Sequence, residues 1–320
     1  MSASHGTKSV IAAFFANLSI AVMKFIAWAF SGSSAMLAEA IHSVADAGNQ
    51  LLLLLGGRLA KKKADREHPF GYGRERYIWA FIVALVLFSV GGLFSIYEGV
   101  NKLQNPHELT LWWIPMLVLT GAIIAESFSL RTAIKESNQV RGGAGWISFI
   151  RKSKSPELPV ILLEDIAALL GLVFAFVGVG LTALTGNPVF DAVATLVIGA
   201  LLVVVAIVLA IEMKSLLIGE GATEDDWIKI RDIINENERV EGLIHMKTLY
   251  LGPEELMIAA KVAFPPTYTT QDIARAINDL EGHIRRNVAD ARVIYIEPDI
   301  MIDDPGVELS TDVVVIQSGN

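Results

Sequence analysis

Three polar residues recur on one face of an otherwise apolar stretch near the start of the chain. His42, Asp46 and Asn49 stand at positions i, i+4 and i+7, which lie on the same side of an α-helix. An imidazole nitrogen and a carboxylate one turn apart can reach the same ion, and they supply half of a tetrahedral N/O shell for zinc or a related divalent metal. The spacing therefore predicts a metal site that a second segment has to complete.

The second segment is a later apolar stretch in which two acids, Glu164 and Asp165, stand side by side. Adjacent residues of a helix point about 100° apart, so we expect one acid to bind the metal while the other meets a neighbouring helix, a water or a proton. Metal ligands must be deprotonated, so a metal ion and protons would displace each other at such a site. A hydrogen-bonded clamp of His42 and Asp46 between helices is the alternative that needs no metal.

Other polar residues of the apolar stretches have two interpretations each. Glu39, one turn before His42, and Glu126 could carry protons or line an entry path, or each could be a satisfied acid against a neighbouring helix. Asn49 is expected to support the site through a hydrogen bond between helices. Asp191 opens the last apolar stretch, where we expect it to cap the start of that helix.

The elements that must position these residues are apolar stretches long enough to cross a bilayer. Hydrophobic residues make up 53% of the 320 residues and charged residues 19%, which is typical of a membrane protein and not of a soluble enzyme. The chain has no cysteine, so protein ligands for a metal have to be His, Asp or Glu. We predict six transmembrane helices, at Ser9–Phe30, Ala35–Leu59, Tyr77–Val100, Leu111–Ala133, Val160–Leu184 and Phe190–Leu217.

Basic residues are distributed unevenly over the loops between these helices. Lys and Arg concentrate in the loops after the second and fourth predicted helices, whereas the loops after the first, third and fifth hold one Lys between them. Because cytoplasmic loops are enriched in Lys and Arg, both termini are predicted to lie in the cytoplasm.

After residue 218 the composition changes to that of a soluble, acidic domain. Residues 1–218 hold 17 basic and 14 acidic residues, whereas residues 219–320 hold 9 and 20, which argues against a nucleic-acid partner. Residues 219–303 show the pattern αββαβ, which predicts a small ferredoxin-like α+β sandwich in the cytoplasm, and residues 304–320 form a tail with no predicted element. No Gly-rich phosphate loop occurs, so we expect no nucleotide and infer a proton gradient as the driving force.

In combination, these features resemble the cation diffusion facilitator family. The matching pieces are His42 and Asp46, the loop from Asp65 through His68 to Gly73, Asp191 at the start of the sixth helix, and a small α+β domain after six helices. The resemblance implies a homodimeric transporter, not an enzyme, that exports Zn²⁺, or alternatively Mn²⁺, Fe²⁺ or Co²⁺, from the cytoplasm in exchange for protons. It also implies a transport site between the second and fifth helices, a dimerising cytoplasmic domain and no cofactor beyond the transported metal.

Two departures from the family pattern affect the predicted metal chemistry. Where the family has His-x-x-x-Asp in the fifth helix, this chain has Glu164 and Ala168, so the site is richer in oxygen and strict zinc selectivity is less well supported. The Glu-Asp pair is most similar to the branch of mitochondrial zinc exporters and their bacterial relatives, and this resemblance implies a bacterial inner membrane as the location. In the loop after the second helix, Tyr72 replaces the second His of an auxiliary metal motif, which leaves Asp65 and His68 as a weak auxiliary site, expected to serve mainly in loop hydrogen bonds.

Two other functions compete with transport at this stage. A membrane-anchored metal sensor, signalling through its acidic cytoplasmic domain, would bind metal without moving it across the membrane. An intramembrane hydrolase with a metal-bound water is less well supported, because no nucleophile motif or further ligand accompanies the predicted site.

Overall fold

Two compact units make up the chain, Met1–Ile218 and Gly219–Asn320. The structure is a computed structural model that describes residues 3–143 and 145–301, and within these ranges it describes side chains from residue 17 onward. The predicted tail, residues 304–320, lies outside the described residues.

The first unit is helical. Its helices are α1 (Ala3–Ser31), α2 (Ser34–Leu59), α3 (Glu75–Val86), α4 (Phe94–Gln104), α5 (Trp113–Arg141), α6 (Trp146–Lys152), α7 (Glu157–Thr185) and α8 (Val189–Ile218). A π-helical segment, Leu87–Leu93, joins α3 to α4 without a break, so that Glu75–Gln104 is one continuous stretch. This stretch, α5, α7 and α8 are long and apolar enough to cross a membrane, which makes the protein a multi-pass integral membrane protein.

Helices α1 and α2 differ from these four stretches. The described apolar part of α1 runs over Asn17–Ser31, which is shorter than a typical span. The 26 residues of α2 include the buried polar side chains of Glu39, His42 and Asn49, which lower its hydropathy. Whether α1 and α2 also cross the membrane therefore stays a prediction, although α2 differs from the predicted Ala35–Leu59 by a single residue.

The start of α2 is held by a side chain of another helix. Ser33 Oγ accepts a hydrogen bond from Met36 N at 3.2 Å, as in an ordinary N-cap. The Asp191 carboxylate on α8 accepts hydrogen bonds from Ser33 Oγ at 2.6 Å and from Ser34 N at 2.7 Å. The prediction that Asp191 caps its own helix is therefore wrong: its carboxylate stabilises the N-terminal end of α2 and ties that end to α8.

Glycine residues bring the continuous helical stretch Glu75–Gln104 into close contact with α8. A β-carbon added at Gly92 would lie 2.7 Å from Val203 Cγ2, and one added at Gly199 would lie 2.7 Å from Ile96 Cγ1. Glycine at these positions lets the two backbones approach each other, which is how helices in membranes gain packing energy. The π-helical segment is thereby fixed against α8.

The second unit is a small α+β domain with the predicted element order αββαβ. Its elements are α9 (Glu224–Asn235), β1 (Gly242–Gly252), β2 (Glu255–Ala263), α10 (Thr270–Asn287) and β3 (Ala291–Asp299). The sheet order is β1-β2-β3, with β1 and β2 antiparallel and β2 and β3 parallel. A parallel pair needs a crossover, which α10 provides from a start capped reciprocally by Thr269 and Asp272.

A separate hydrophobic core supports this unit. It consists mainly of branched aliphatic side chains from both helices, β2 and β3, including Ile230, Ile234, Ile258, Leu280, Ile284 and Ile294, and β1 contributes Tyr250. The sheet and its two helices fit the predicted α+β domain, whereas its cytoplasmic location and a ferredoxin-like fold stay predictions.

Candidate metal site

Helix α2 positions the first three polar residues on its inner face, as their spacing predicts. His42 is 1% exposed and Asn49 0% exposed, whereas the Asp46 side chain keeps 16% of its surface accessible. His42 Nδ1 lies 3.5 Å from Asp46 Oδ1, which is longer than a well-formed N–H···O hydrogen bond. The imidazole and the carboxylate are therefore neighbours without being locked to each other.

Helix α7 contributes its two adjacent acids to different contacts. Asn49 Nδ2 donates a hydrogen bond to Glu164 Oε1 at 2.8 Å, which links α2 and α7. The Asp165 carboxylate instead accepts a hydrogen bond from Ser129 Oγ on α5, at 2.9 Å from Oδ2. Because successive helix residues point in different directions, Glu164 faces the polar side of α2 while Asp165 faces α5.

Several buried polar atoms at this place have no hydrogen-bond partner. They include both ring nitrogens of His42, Asp46 Oδ1 and Asn49 Oδ1. Buried polar atoms are nearly always satisfied, and leaving one unsatisfied costs about 1–3 kcal/mol. These atoms could bind a cation or protons, and binding would remove the free-energy cost of leaving them without a partner.

The predicted ligands do not yet form a closed coordination shell. Among the described side chains, residues 17–143 and 145–301, no three His, Asp or Glu residues lie close enough together to hold a metal ion. Asp46 is nevertheless within electrostatic reach of both Glu164 and Asp165. The structure thus brings the predicted residues into one region, with side chains that have to move to surround an ion.

Glu126 of α5 adds a further carboxyl group. Its side chain is partly exposed, and it lies within electrostatic reach of Asp46 and Asp165. Three helices therefore contribute acids to the same region. The predicted supporting role of Glu126 stays a prediction, since the contacts of the described residues do not join it to the ligands.

One charged residue of this region has no predicted role in the sequence analysis. Lys24 of α1 is buried, and its ammonium Nζ lies 2.9 Å from Glu39 Oε2 and 2.7 Å from Ser43 Oγ. The sequence indicates a role for Lys24 by its position within an apolar stretch, because ionisable residues at membrane depth usually have a function. Its partner could not be identified, because the sequence does not show which face α1 turns toward α2.

The π-helical segment lies against the imidazole. A β-carbon added at Gly91 would be 3.9 Å from His42 Nδ1 and 3.3 Å from Leu202 Cδ1. π-helical turns occur frequently at functional sites, and this one places a residue without a side chain beside the imidazole.

The loop after α2 uses its polar residues for internal hydrogen bonds. Asp65 Oδ2 accepts from Tyr72 Oη at 2.6 Å, and Asp65 Oδ1 accepts from His68 N at 2.8 Å. The hydrogen bond from Tyr72, followed by that from His68, holds the pKa of the Asp65 carboxyl well below its usual range. Asp65 thus organises the loop through hydrogen bonds, in which His68 takes part through its backbone N–H. A metal-binding role of the two residues stays a prediction.

Comparison with known proteins adds independent information on this chain. Residues 10–218 match the cation efflux transmembrane domain. The chain is 33% identical over 251 residues to the mitochondrial proton-coupled zinc antiporter SLC30A9 of Homo sapiens, a match covering 78% of this chain and 44% of that protein. It is 30% identical over 262 residues to metal tolerance protein C4 of Arabidopsis thaliana, covering 81% of this chain and 57% of the relative.

A bacterial relative matches over almost its whole length. The chain is 26% identical over 284 residues to magnetosome protein MamB of Magnetospira sp. (strain QH-2), which covers 89% of this chain and 90% of that protein. By contrast, the chain spans less than half the length of the animal zinc antiporters that it matches.

Proposed function

The chain belongs to the cation diffusion facilitator family, also called the cation efflux family, and we propose that it exports divalent metal ions across a membrane. The observation that carries the proposal is the set of unpartnered polar atoms of His42, Asp46 and Asn49, buried on α2 directly opposite Glu164 of α7. Such donors inside a membrane domain are costly unless they bind something. A divalent cation fits their chemistry.

The proposed ligand set is His42, Asp46 and Glu164, with Asn49 as the residue that orients Glu164. The hydrogen bond between Asn49 and Glu164 already connects the two helices, and the Glu164 carboxylate is within electrostatic reach of Asp46. One imidazole with two carboxylates suits Zn²⁺ but also Mn²⁺, Fe²⁺ and Co²⁺. We propose Zn²⁺ as the main substrate because similar proteins are named zinc antiporters.

Exchange against protons follows from the same ligand chemistry. Without a bound cation, several carboxylates in a low-dielectric environment repel each other and favour protonation, whereas a metal ion requires them ionised. Protons arriving from the far side would therefore release the metal, and loss of those protons on the cytoplasmic side would prepare the site for the next ion. This reciprocity is what an antiporter needs.

The proposed arrangement in the membrane has six spans, namely the four apolar stretches together with α1 and α2. The Lys and Arg distribution supports cytoplasmic termini. The second unit, with its own core, would then lie in the cytoplasm and hold two copies of the chain together as a homodimer.

Metal flux into proteoliposomes with an imposed pH gradient tests the proposal. We expect the unaltered protein to move Zn²⁺ when the gradient is present, and Asp46→Asn to lose at least about 90% of that flux, since ligand and supporting substitutions at metal sites cost about tenfold or more. Glu212→Gln is the matched control, because it removes an acid of α8 whose partner is Arg151, at 3.8 Å. Unchanged flux in Asp46→Asn would reject the site, and an unaltered protein without metal flux would reject the function.

A further inference from the structure

Lys24 is held inside the helical unit by three oxygen atoms. Its Nζ lies 2.9 Å from Glu39 Oε2, 2.7 Å from Ser43 Oγ and 3.4 Å from the Glu39 carbonyl oxygen. The side chain is 2% exposed, and that of Glu39 is fully buried. An ammonium surrounded by a carboxylate, a hydroxyl and a carbonyl occupies the kind of oxygen cage in which proteins bind free cations.

Neither the topology of the membrane helices nor the stability of the fold explains why Lys24 is buried. Lysines near the ends of spans extend their ammonium groups to the membrane surface, whereas Lys24 stands about 10 Å of helix before Ser31, the end of α1, and turns inward. A buried ion pair is weak evidence for stabilisation, because desolvation of both charges offsets most of their attraction. The pair between Lys24 and Glu39 therefore calls for a functional reason.

Glu39 is placed where it could compete for the transported ion. It precedes His42 by one helical turn on the same face of α2. Its second oxygen, Oε1, has no hydrogen-bond partner and lies against α7, where a β-carbon added at Gly171 would be only 2.6 Å away. The Lys24–Glu39 pair is within electrostatic reach of His42 and Asp46.

We propose that Lys24 is a tethered cation that keeps Glu39 out of the coordination shell of the transported metal. This inference rests on the proposed function and assigns Lys24 as a positioning residue for it. With Lys24 in place, the charges of the ammonium and the carboxylate cancel beside the site, and the metal meets only its proper ligands. Without Lys24, Glu39 becomes an additional carboxylate next to a divalent ion, which strengthens binding and slows release.

Substitution of each partner separates this role from that of a structural clamp. In detergent-solubilised full-length protein, we expect Lys24→Gln to lower the Kd for Zn²⁺ by about tenfold or more, because it leaves Glu39 as an uncompensated negative charge. The same variant should transport more slowly at saturating Zn²⁺. Glu39→Gln leaves an unpaired ammonium beside the site, so it should raise the Kd by a similar factor.

The double variant Lys24→Gln/Glu39→Gln restores the charge balance, and its Kd should return to within about threefold of the unaltered protein, as expected for a directly coupled pair. Lys24→Arg keeps the charge and should stay closer to the unaltered Kd than Lys24→Gln does. Lys102→Gln is the matched control, since Lys102 is a second buried lysine whose ammonium donates to Gly32 O at 2.8 Å, and it should leave the Kd unchanged.

The result that overturns the proposal is a Kd for Zn²⁺ that stays within threefold in both single variants while only their thermal stability falls, as a clamp between α1 and α2 would give. If Lys24→Gln does not fold, Glu39→Gln alone decides, because an unchanged Kd in that variant contradicts the proposal equally. An unaltered protein that neither binds nor transports Zn²⁺ would instead show that the proposed function has failed.

Discussion

At the scale of single residues, the two adjacent acids of α7 have separate contacts. Glu164 accepts a hydrogen bond from Asn49 on α2, and Asp165 accepts one from Ser129 on α5. Their different partners follow from the helical geometry, which turns successive side chains about 100° apart. Glu164 is therefore the acid that the structure places beside the polar face of α2.

Amide substitutions distinguish the two acids. Glu164→Gln should raise the Kd for Zn²⁺ by about 10- to 100-fold, because it removes a charged ligand facing Asp46. Asp165→Asn should stay within about threefold, because its carboxylate contacts α5 and acts on the ion only at longer range. Isothermal titration calorimetry on the full-length protein measures both values, and a larger loss in Asp165→Asn than in Glu164→Gln would reverse the assignment.

How much of the site was predictable depends on whether a contact lies within one helix or between two. The common face of His42, Asp46 and Asn49 follows from spacing alone, since those residues share α2. The contact between Lys24 and Glu39 could not be predicted in this way, because it depends on the rotation of α1 relative to α2. The same limitation made the expected capping role of Asp191 wrong.

At the scale of elements, the π-helical segment that joins α3 to α4 lies next to the imidazole of His42. Gly91 faces His42 and Leu202, and Gly92 faces Val203 of α8. The sequence does not predict the π-helical segment, because an apolar stretch of this length has the same composition with or without a π-helical turn. The two glycines nevertheless have different surroundings, which leads to different expectations for their substitution.

Alanine substitutions at Gly91 and Gly92 should differ in their effects on Zn²⁺ affinity and on the free energy of unfolding. In Gly92→Ala, the new β-carbon would lie 2.7 Å from Val203 Cγ2 and 3.2 Å from Val203 N, so the variant should lose about 1–3 kcal/mol of stability through overpacking. In Gly91→Ala, the new β-carbon would press only on Leu202 Cδ1, at 3.3 Å, and would lie in ordinary contact with His42 Nδ1, at 3.9 Å. Stability should therefore fall less than in Gly92→Ala, whereas Zn²⁺ affinity should fall because the imidazole has less space in which to turn toward an ion. Thermal unfolding and calorimetry on both variants give the comparison. Equal effects of both variants on both quantities would contradict this account.

At the scale of the whole molecule, two compact units differ in composition and charge. Residues 1–218 carry a small positive formal charge and residues 219–320 a strongly negative one. The positions of the long helices follow from apolar length, although α5 continues to Arg141, past the predicted end at Ala133, because a helix need not end where its apolar stretch does. The strands of the second unit follow from short apolar runs interrupted by Gly252 and Pro253. These features are local, which is why they could be predicted, whereas the pairing of β2 with β3 in parallel required the described structure.

The separate core of the second unit predicts that residues 219–320 fold on their own. Leu280 and Ile258 are fully buried there, so Leu280→Ala should destabilise the isolated fragment by about 2–5 kcal/mol. Arg286→Ala on the exposed side of α10 is the control and should change stability by less than about 0.5 kcal/mol. Urea unfolding followed by circular dichroism measures both. A fragment without a cooperative transition would show that the second unit depends on the membrane unit.

The central claim is that side chains of α2 and α7 together bind one divalent ion. Structure determination of the zinc-loaded full-length protein, with zinc located by its anomalous scattering, tests this claim most directly. The account predicts a zinc peak at about 2.0–2.2 Å from a nitrogen of His42 and from carboxylate oxygens of Asp46 and Glu164. Zinc bound at other residues, with no peak between α2 and α7 at saturating metal, would contradict it.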